Sequence, residues 1–253
     1  MLEIQSISKS FSDNPVIVDC SFQIDTGQSM SVLGRSGCGK TTLLKILAGL
    51  TAPDHGNIFI DEKDVTGVPA HLRHAVYLPQ EALLFPHLDV FENLAFGLRV
   101  RNKTNRAIND EVGRMLERLG LSDKTHSNPD ELSGGERRRV SFGRALITQP
   151  DVLLLDEPFE NLDPETRSDM HKLYRKLSNS YNITSVFVTH NLKEAIIMGD
   201  RISTLRDGRL HTYEDVQSFI NDPDSGATEE MAFWNQFMQK SDMVNENRSE
   251  YLK

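Results

Sequence analysis

Cysteine is nearly missing from this chain, with Cys20 and Cys38 the two among 253 residues. Two are too few for a disulfide framework, so a reducing compartment is expected. A long apolar run is missing too. No stretch approaches the roughly 20 residues that span a bilayer, so a membrane role would need another chain to supply the span. Positive charge is in deficit, with 28 Lys and Arg against 37 Asp and Glu, a net charge of −9. That balance speaks against nucleic acid or anionic lipid as a general partner. The opening residues, Met1-Leu-Glu-Ile-Gln-Ser-Ile-Ser8, alternate as an edge strand would. They carry neither the charged start nor the apolar centre of a secretory leader, and none is expected.

What the chain does have is Gly34-Arg35-Ser36-Gly37-Cys38-Gly39-Lys40-Thr41, which spells G-x-x-x-x-G-K-[ST]. Ahead of it, Ser29 to Leu33 reads as a buried strand. Behind it, from Thr42, residues Leu43, Leu44, Ile46, Leu47 and Leu50 recur at helical spacing. Strand, glycine-rich turn and helix N-terminus together make a phosphate cradle. Gly34, Gly37 and Gly39 can take backbone angles that let several N–H groups converge on one anion. Lys40 would neutralise the β- and γ-phosphates, and the Thr41 hydroxyl would bind Mg²⁺. A nucleoside triphosphate is the expected ligand.

Residues 1 to about 80 are strand-rich, whereas about 85 to 150 have a helical texture. There Ile108, Val112, Met115, Leu116 and Leu119 share one helical face that Gly120 ends. Buried-strand texture returns at Val152–Leu155 and at Ile183–Val188, and Asp163-Pro164 opens a helix between them. The expected fold is α/β: a P-loop core with a mainly parallel sheet, an N-terminal antiparallel β-subdomain and an inserted helical subdomain. The expected boundaries are 1–221 for this domain, an amphipathic helix within 222–240, and a flexible polar tail over 241–253. Ala227, Met231, Trp234, Phe237 and Met238 form the apolar stripe of that last helix.

Two further motifs carry chemistry. Val152 to Leu155 is an apolar strand ending in Asp156-Glu157. The carboxyl end of a buried parallel strand is where ligands sit. Asp156 would hold Mg²⁺ and Glu157 would polarise the attacking water. By itself the pair also fits an exposed acidic turn. Leu132-Ser133-Gly134-Gly135-Glu136, at the start of a second helix, is another anion-binding surface. One nucleotide does not need two such cradles from one subunit.

With these motifs in this order, roughly Met1 to Asn221 resembles the ATP-binding cassette (ABC) ATPases. The resemblance implies that Ser133, Gly134 and Gly135 close over ATP held by a second copy of the chain, and that Asp163 contacts that copy's phosphate loop. It places Phe11 against the adenine, with a core phenylalanine as the plainer reading. It makes Gln80 a ligand of the metal and the attacking water, and His190 the switch histidine at the γ-phosphate. With Thr42 added to the phosphate loop, the implied cofactors are ATP and Mg²⁺. Some positions depart from the commonest pattern: Arg35 replaces a frequent proline, Glu160-Asn161 replaces small residues, and Arg137 to Arg139 follow the signature.

The segment Glu81 to Leu98 narrows the resemblance to bacterial importers of the maltose, sulfate, iron and polyamine type. In those, the region receives a helix from a permease. Leu83, Leu84, Phe85, Leu88 and Phe91 would form that docking surface, or in part fill the core of their own lobe. The implied partners are a second copy, integral-membrane permease subunits and, indirectly, an extracytoplasmic solute-binding protein, with no nucleic acid. The implied place is peripheral, on the cytoplasmic face of the cell membrane. An exporter component and a soluble ATP-driven switch are the other family roles.

Overall fold

Residues 1–228 are described by the structure, a computed structural model. Its N-terminal strands alternate because one face of an antiparallel sheet packs inward while the other meets water. β1 (Leu2–Phe11), β2 (Asn14–Ile24), β4 (His55–Ile60) and β5 (Lys63–Asp64) form this sheet in the order β2-β1-β4-β5. β1 is therefore an inner strand, with β2 and β4 on its two sides, and the edge reading of residues 1–8 is corrected. Alternation reports a one-sided burial, here of Leu2, Ile4 and Ile7, and says nothing of how many neighbours a strand has.

The second sheet holds β3 (Ser29–Leu33), β6 (Ala75–Leu78), β7 (Val152–Asp156), β8 (Thr184–Thr189), β9 (Arg201–Arg206) and β10 (Arg209–Thr212). Its order is β10-β9-β3-β8-β7-β6, parallel throughout except for the β9–β10 pair. Every residue of β7 and β8 is buried, as strands covered on both faces must be. Side chains of period two then feed two separate cores. Val152, Leu154, Val186 and Val188 join Leu43, Leu44, Ile46 and Leu47 of α1 (Lys40–Leu47). Leu153, Leu155 and Phe187 join the opposite core.

That opposite core takes in α2 (Val90–Val100), α3 (Asn105–Leu119), α4 (Gly134–Leu146) and α5 (Pro164–Tyr181). In α3 the buried residues are the five of the sequence stripe, between a Thr104 cap and a left-handed Gly120. α1 is shorter than its apolar spacing suggests. It ends at Leu47, Gly49 turns the chain at φ +75°, and Leu50 is 56% exposed. α6 (Leu192–Met198) and α7 (Val216–Asn221) complete the described helices, with Phe219 and Ala227 buried beside Tyr213. Met231, Trp234, Phe237, Met238 and the tail from Ser241 lie outside the described residues.

In-register pairing levels the carboxyl ends of the inner strands. Leu33 lies opposite Thr189, and Asp156 opposite Val188. The loops after β3, β6, β7 and β8 thus emerge along one edge, where open parallel sheets hold their ligands.

Candidate nucleotide site

At that edge, Gly34 leaves β3 and the loop runs directly into Lys40, the first residue of α1. Two glycines shape it. Gly39 sits at φ +107°, where a Cβ would lie 2.8 Å from the Val16 carbonyl oxygen. Gly37 sits at φ +82° with no protein atom near its missing side chain, so the backbone there stays open to a ligand. Lys40 is buried, its Nζ donating to the carbonyls of Gly34 at 2.8 Å and Arg35 at 3.1 Å. The ammonium also lies 3.3 Å from Glu157 Oε1.

A cleft of about 460 Å³ opens over this loop. Ser36, Gly37, Gly39, Lys40, Thr41 and Thr42 line its floor, and Gln80, Glu157 and Glu160 one wall. Phe11 and Val16 line another side. The Phe11 ring is 50% exposed, with Lys9 Nζ 5.5 Å from its centroid, so it is a cleft residue and not a core one. Gly34, Arg35 and Cys38 belong to the loop without lining the cleft. Burial pushes the Cys38 thiol up, against the pull of Lys40.

Asp156 ends β7 buried and accepts two hydrogen bonds, from Thr41 Oγ1 at 3.1 Å and from the Tyr77 hydroxyl at 2.7 Å. Burial, and then the Asp156 carboxylate itself, push the Tyr77 hydroxyl far up, so it stays a donor. Glu157 follows in the left-handed region at φ 43°, a conformation that costs a side-chain-bearing residue about 1–2 kcal/mol. Its N–H donates to the Val188 carbonyl at 3.0 Å, and this turn directs its carboxylate toward Lys40 and His190. The Glu157 Oε2 to His190 Nδ1 distance is 2.5 Å. Glu160 continues the turn, its N–H donating to the Glu157 carbonyl at 3.2 Å. Its carboxylate accepts from the Gln80 amide nitrogen. Ligand atoms of Glu157, Glu160 and His190 all lie within 4.8 Å of one another.

Ser133, Gly134, Gly135 and Asp163 do not line this cleft. Ser133 caps α4 in a reciprocal pair with Glu136: the Glu136 N–H donates to Ser133 Oγ at 3.2 Å, and the Ser133 N–H to Glu136 Oε2 at 2.7 Å. Gly135 faces α5 closely, since a Cβ there would lie 2.9 Å from Thr166 Cγ2. Asp163 caps α5 through the Thr166 N–H at 3.0 Å, and the Thr166 donors hold its carboxyl below the usual range.

Three residues shape the site's surroundings without having been singled out from the sequence. Tyr77 reads as core in its apolar strand. Asn93 is fully buried and binds the backbone of Phe85, Leu88 and Asp89, which fixes the connection after Gln80. Glu194 accepts from Thr189 Oγ1 at 2.9 Å, directly before His190, and its carboxyl is pushed up by burial. An asparagine after an apolar helix start is a signal for Asn93, and Asn191-Leu-Lys-Glu194 is a helix-start pattern that marks Glu194. Nothing local marks Tyr77.

The Thr41 hydroxyl and the Asp156 carboxylate lie 3.1 Å apart, and Gln80 lines the cleft that Thr41 also lines. Oxygen donors of these kinds are the chemistry that Mg²⁺ takes. Gly37's open backbone, Lys40's ammonium and the helix start fit a polyphosphate. Loop, carboxylate pair and strand order together define a P-loop nucleotide-binding α/β protein. Residues 17–160 match the family described as ABC transporter, and the chain belongs to that family. It is 40% identical over 225 residues to a molybdate/tungstate import ATP-binding protein of Pyrococcus horikoshii, covering 89% of this chain and 65% of that one. It is 42% identical over 210 residues to a spermidine/putrescine import ATP-binding protein of Pasteurella multocida, covering 83% and 57%. The chain thus spans between 57% and 65% of the length of these two relatives. Among the described residues, no helix is long and apolar enough to cross a membrane.

Proposed function

We propose that this chain binds and hydrolyses ATP to drive a membrane importer of a small solute, working as a pair of copies docked on permease subunits. The observation that carries the reading is the convergence of Lys40, Glu157 and His190 beside the Thr41–Asp156 pair. Lys40 gives up its loop carbonyls for phosphate oxygens. Thr41, Asp156 and Gln80 would hold Mg²⁺, which when bound would offset the negative charge of the phosphates. Glu157 takes a proton from the attacking water. The water oxygen bonds to the γ-phosphorus, the bridging P–O bond breaks, and ADP and phosphate leave. His190 holds Glu157 through Nδ1 and offers its other edge to a phosphate oxygen.

Residues 1–221 act as the ATPase domain, with the antiparallel sheet carrying Phe11 to the adenine and residues 85–150 as the helical lobe. Ser133, Gly134, Gly135 and Asp163 serve the second copy's nucleotide, which their absence from the lining of their own cleft supports. ATP binds the closed pair better than the open one, and hydrolysis removes that bias. The names of the relatives support import, with an oxyanion or a polyamine among the solutes. Recognition of the solute belongs to the permease and an extracytoplasmic binding protein, and the chain itself sits on the cytoplasmic membrane face.

Tagged Glu157→Gln, purified with ATP from its native host, tests the whole reading. It should bind ATP, pair, show turnover lowered by about a hundredfold or more, and bring a polytopic membrane protein with it. Turnover equal to wild type would overturn the role of Glu157. Recovery of soluble partners alone would overturn the importer.

A further inference from the structure

We infer that Glu160 is a positioning residue that fixes which end of the Gln80 amide faces the nucleotide site. The inference rests on the metal-holding role of Gln80 proposed above and deepens it. A primary amide has an oxygen end and a nitrogen end of nearly equal size, and its neighbours decide which points where. An ionised carboxylate can only accept, so it binds the amide nitrogen and repels the amide oxygen. Glu160 has this bond to Gln80 Nε2, and both side chains line the cleft over Lys40 and Thr41. With the nitrogen end held, Gln80 Oε1 is the end left for a hard cation.

The surroundings direct Glu160 to this task. Glu157, its acidic neighbour, is engaged by Lys40 and His190, at 3.3 and 2.5 Å. Glu160 is held on the same tight turn by its N–H bond to the Glu157 carbonyl. It reaches across to the segment that follows β6, and so ties the loop after β7 to the loop carrying Gln80. A serine or alanine at position 160 would be too short to make that bond.

The test reads metal binding, not turnover alone. Mn²⁺ is titrated by EPR into wild-type protein loaded with the non-hydrolysable analogue AMP-PNP, then into Glu160→Gln, Gln80→Ala and the double variant. Groups that orient a metal ligand are worth about 10- to 100-fold in affinity, so Glu160→Gln should weaken Mn²⁺ by about tenfold. Glu160→Asp should recover part of that loss. Removal of a negative charge near a cation also weakens binding, but that effect persists when Gln80 is absent. The orienting effect does not, so in the Gln80→Ala background Glu160→Gln should cost far less. Equal losses in both backgrounds, or no loss in either, would overturn the inference. Wild-type protein that binds no Mn²⁺ with AMP-PNP would overturn the proposed function, and this inference with it. Unchanged unfolding midpoints would separate positioning from damage to the fold.

Discussion

His171 illustrates how a residue beside the site can govern stability without joining the chemistry. It lies on α5, edge-on to Phe159 at 4.5 Å between centroids, with its Nε2 lacking a hydrogen bond. Burial, aided by Arg167, pulls its pKa from 6.5 to about 4. Glu194 at 3.9 Å is too distant to hold a proton there, and burial raises that carboxyl too. The ring is neutral in the folded chain, so between pH 6.5 and about 4 the unfolded state binds more protons. Stability is then present above pH 6.5 and lost as pH falls toward 4, by up to about 3 kcal/mol. His171→Leu should flatten that part of the curve in urea unfolding at stepped pH. A variant as acid-sensitive as wild type would place the loss elsewhere.

Residue scale is also where the sequence was most legible. Lys40, Thr41, Asp156 and Glu157 could be named because each sits at a fixed offset from a strand end, and strands of apolar residues announce themselves. His190 follows a strand too, but only the family resemblance singled it out. Tyr77 acts on Asp156 from 79 positions away along the chain, and no local pattern encodes such a partner. Glu194 is only five positions from Thr189, but its burial, which makes that bond matter, is set by the packing of the folded chain. Glu160 was visible as a departure, yet its partner Gln80 is 80 positions away.

Helices show a different limit. The stripe of α3 predicted its buried face residue by residue, because a period of 3.6 has one inward side. What it could not give is how closely another helix approaches. Gly143, buried in α4, is the point of approach: a Cβ there would lie 2.6 Å from Leu119 Cδ1, 2.9 Å from Leu94 Cδ2 and 3.2 Å from Met115 Cγ. All three neighbours are themselves at most 2% exposed, so they have little room to yield. Replacing glycine within a helix gains up to about 1 kcal/mol in propensity for alanine and less for valine. Overpacking costs about 1–3 kcal/mol and should win for the larger side chain. Gly143→Val should therefore lower the urea midpoint at unchanged m-value. A higher midpoint would mean that α2, α3 and α4 leave more room around Gly143 than these contacts imply.

For the molecule as a whole, the surface after Gln80 is where the proposed docking to a membrane partner can be tested. Leu84 and Phe91 pack against the helical core, so part of the apolar content of this segment is internal. Leu83 and Phe96 remain 57% and 42% exposed. The Phe96 ring lies 4.5 Å from that of Phe85, and the Arg144 guanidinium lies over the Phe85 ring at 4.7 Å. Arg144 also donates to the Leu83 carbonyl, and Asn93 holds the backbone at Phe85. A rigidly held apolar rim with its side chains in water is what a receiving surface for a partner helix needs. Because these contacts run through backbone and Arg144, changing the Leu83 side chain leaves them in place. Leu83→Asp, alone and with Phe96→Asp, should bind ATP with wild-type affinity by calorimetry and yet lose most of its recovery with cell membranes. Retained membrane recovery alongside normal ATP binding would move the docking surface to another face. Loss of both would show that the rim supports the nucleotide site itself, and the separation of docking from catalysis would fail.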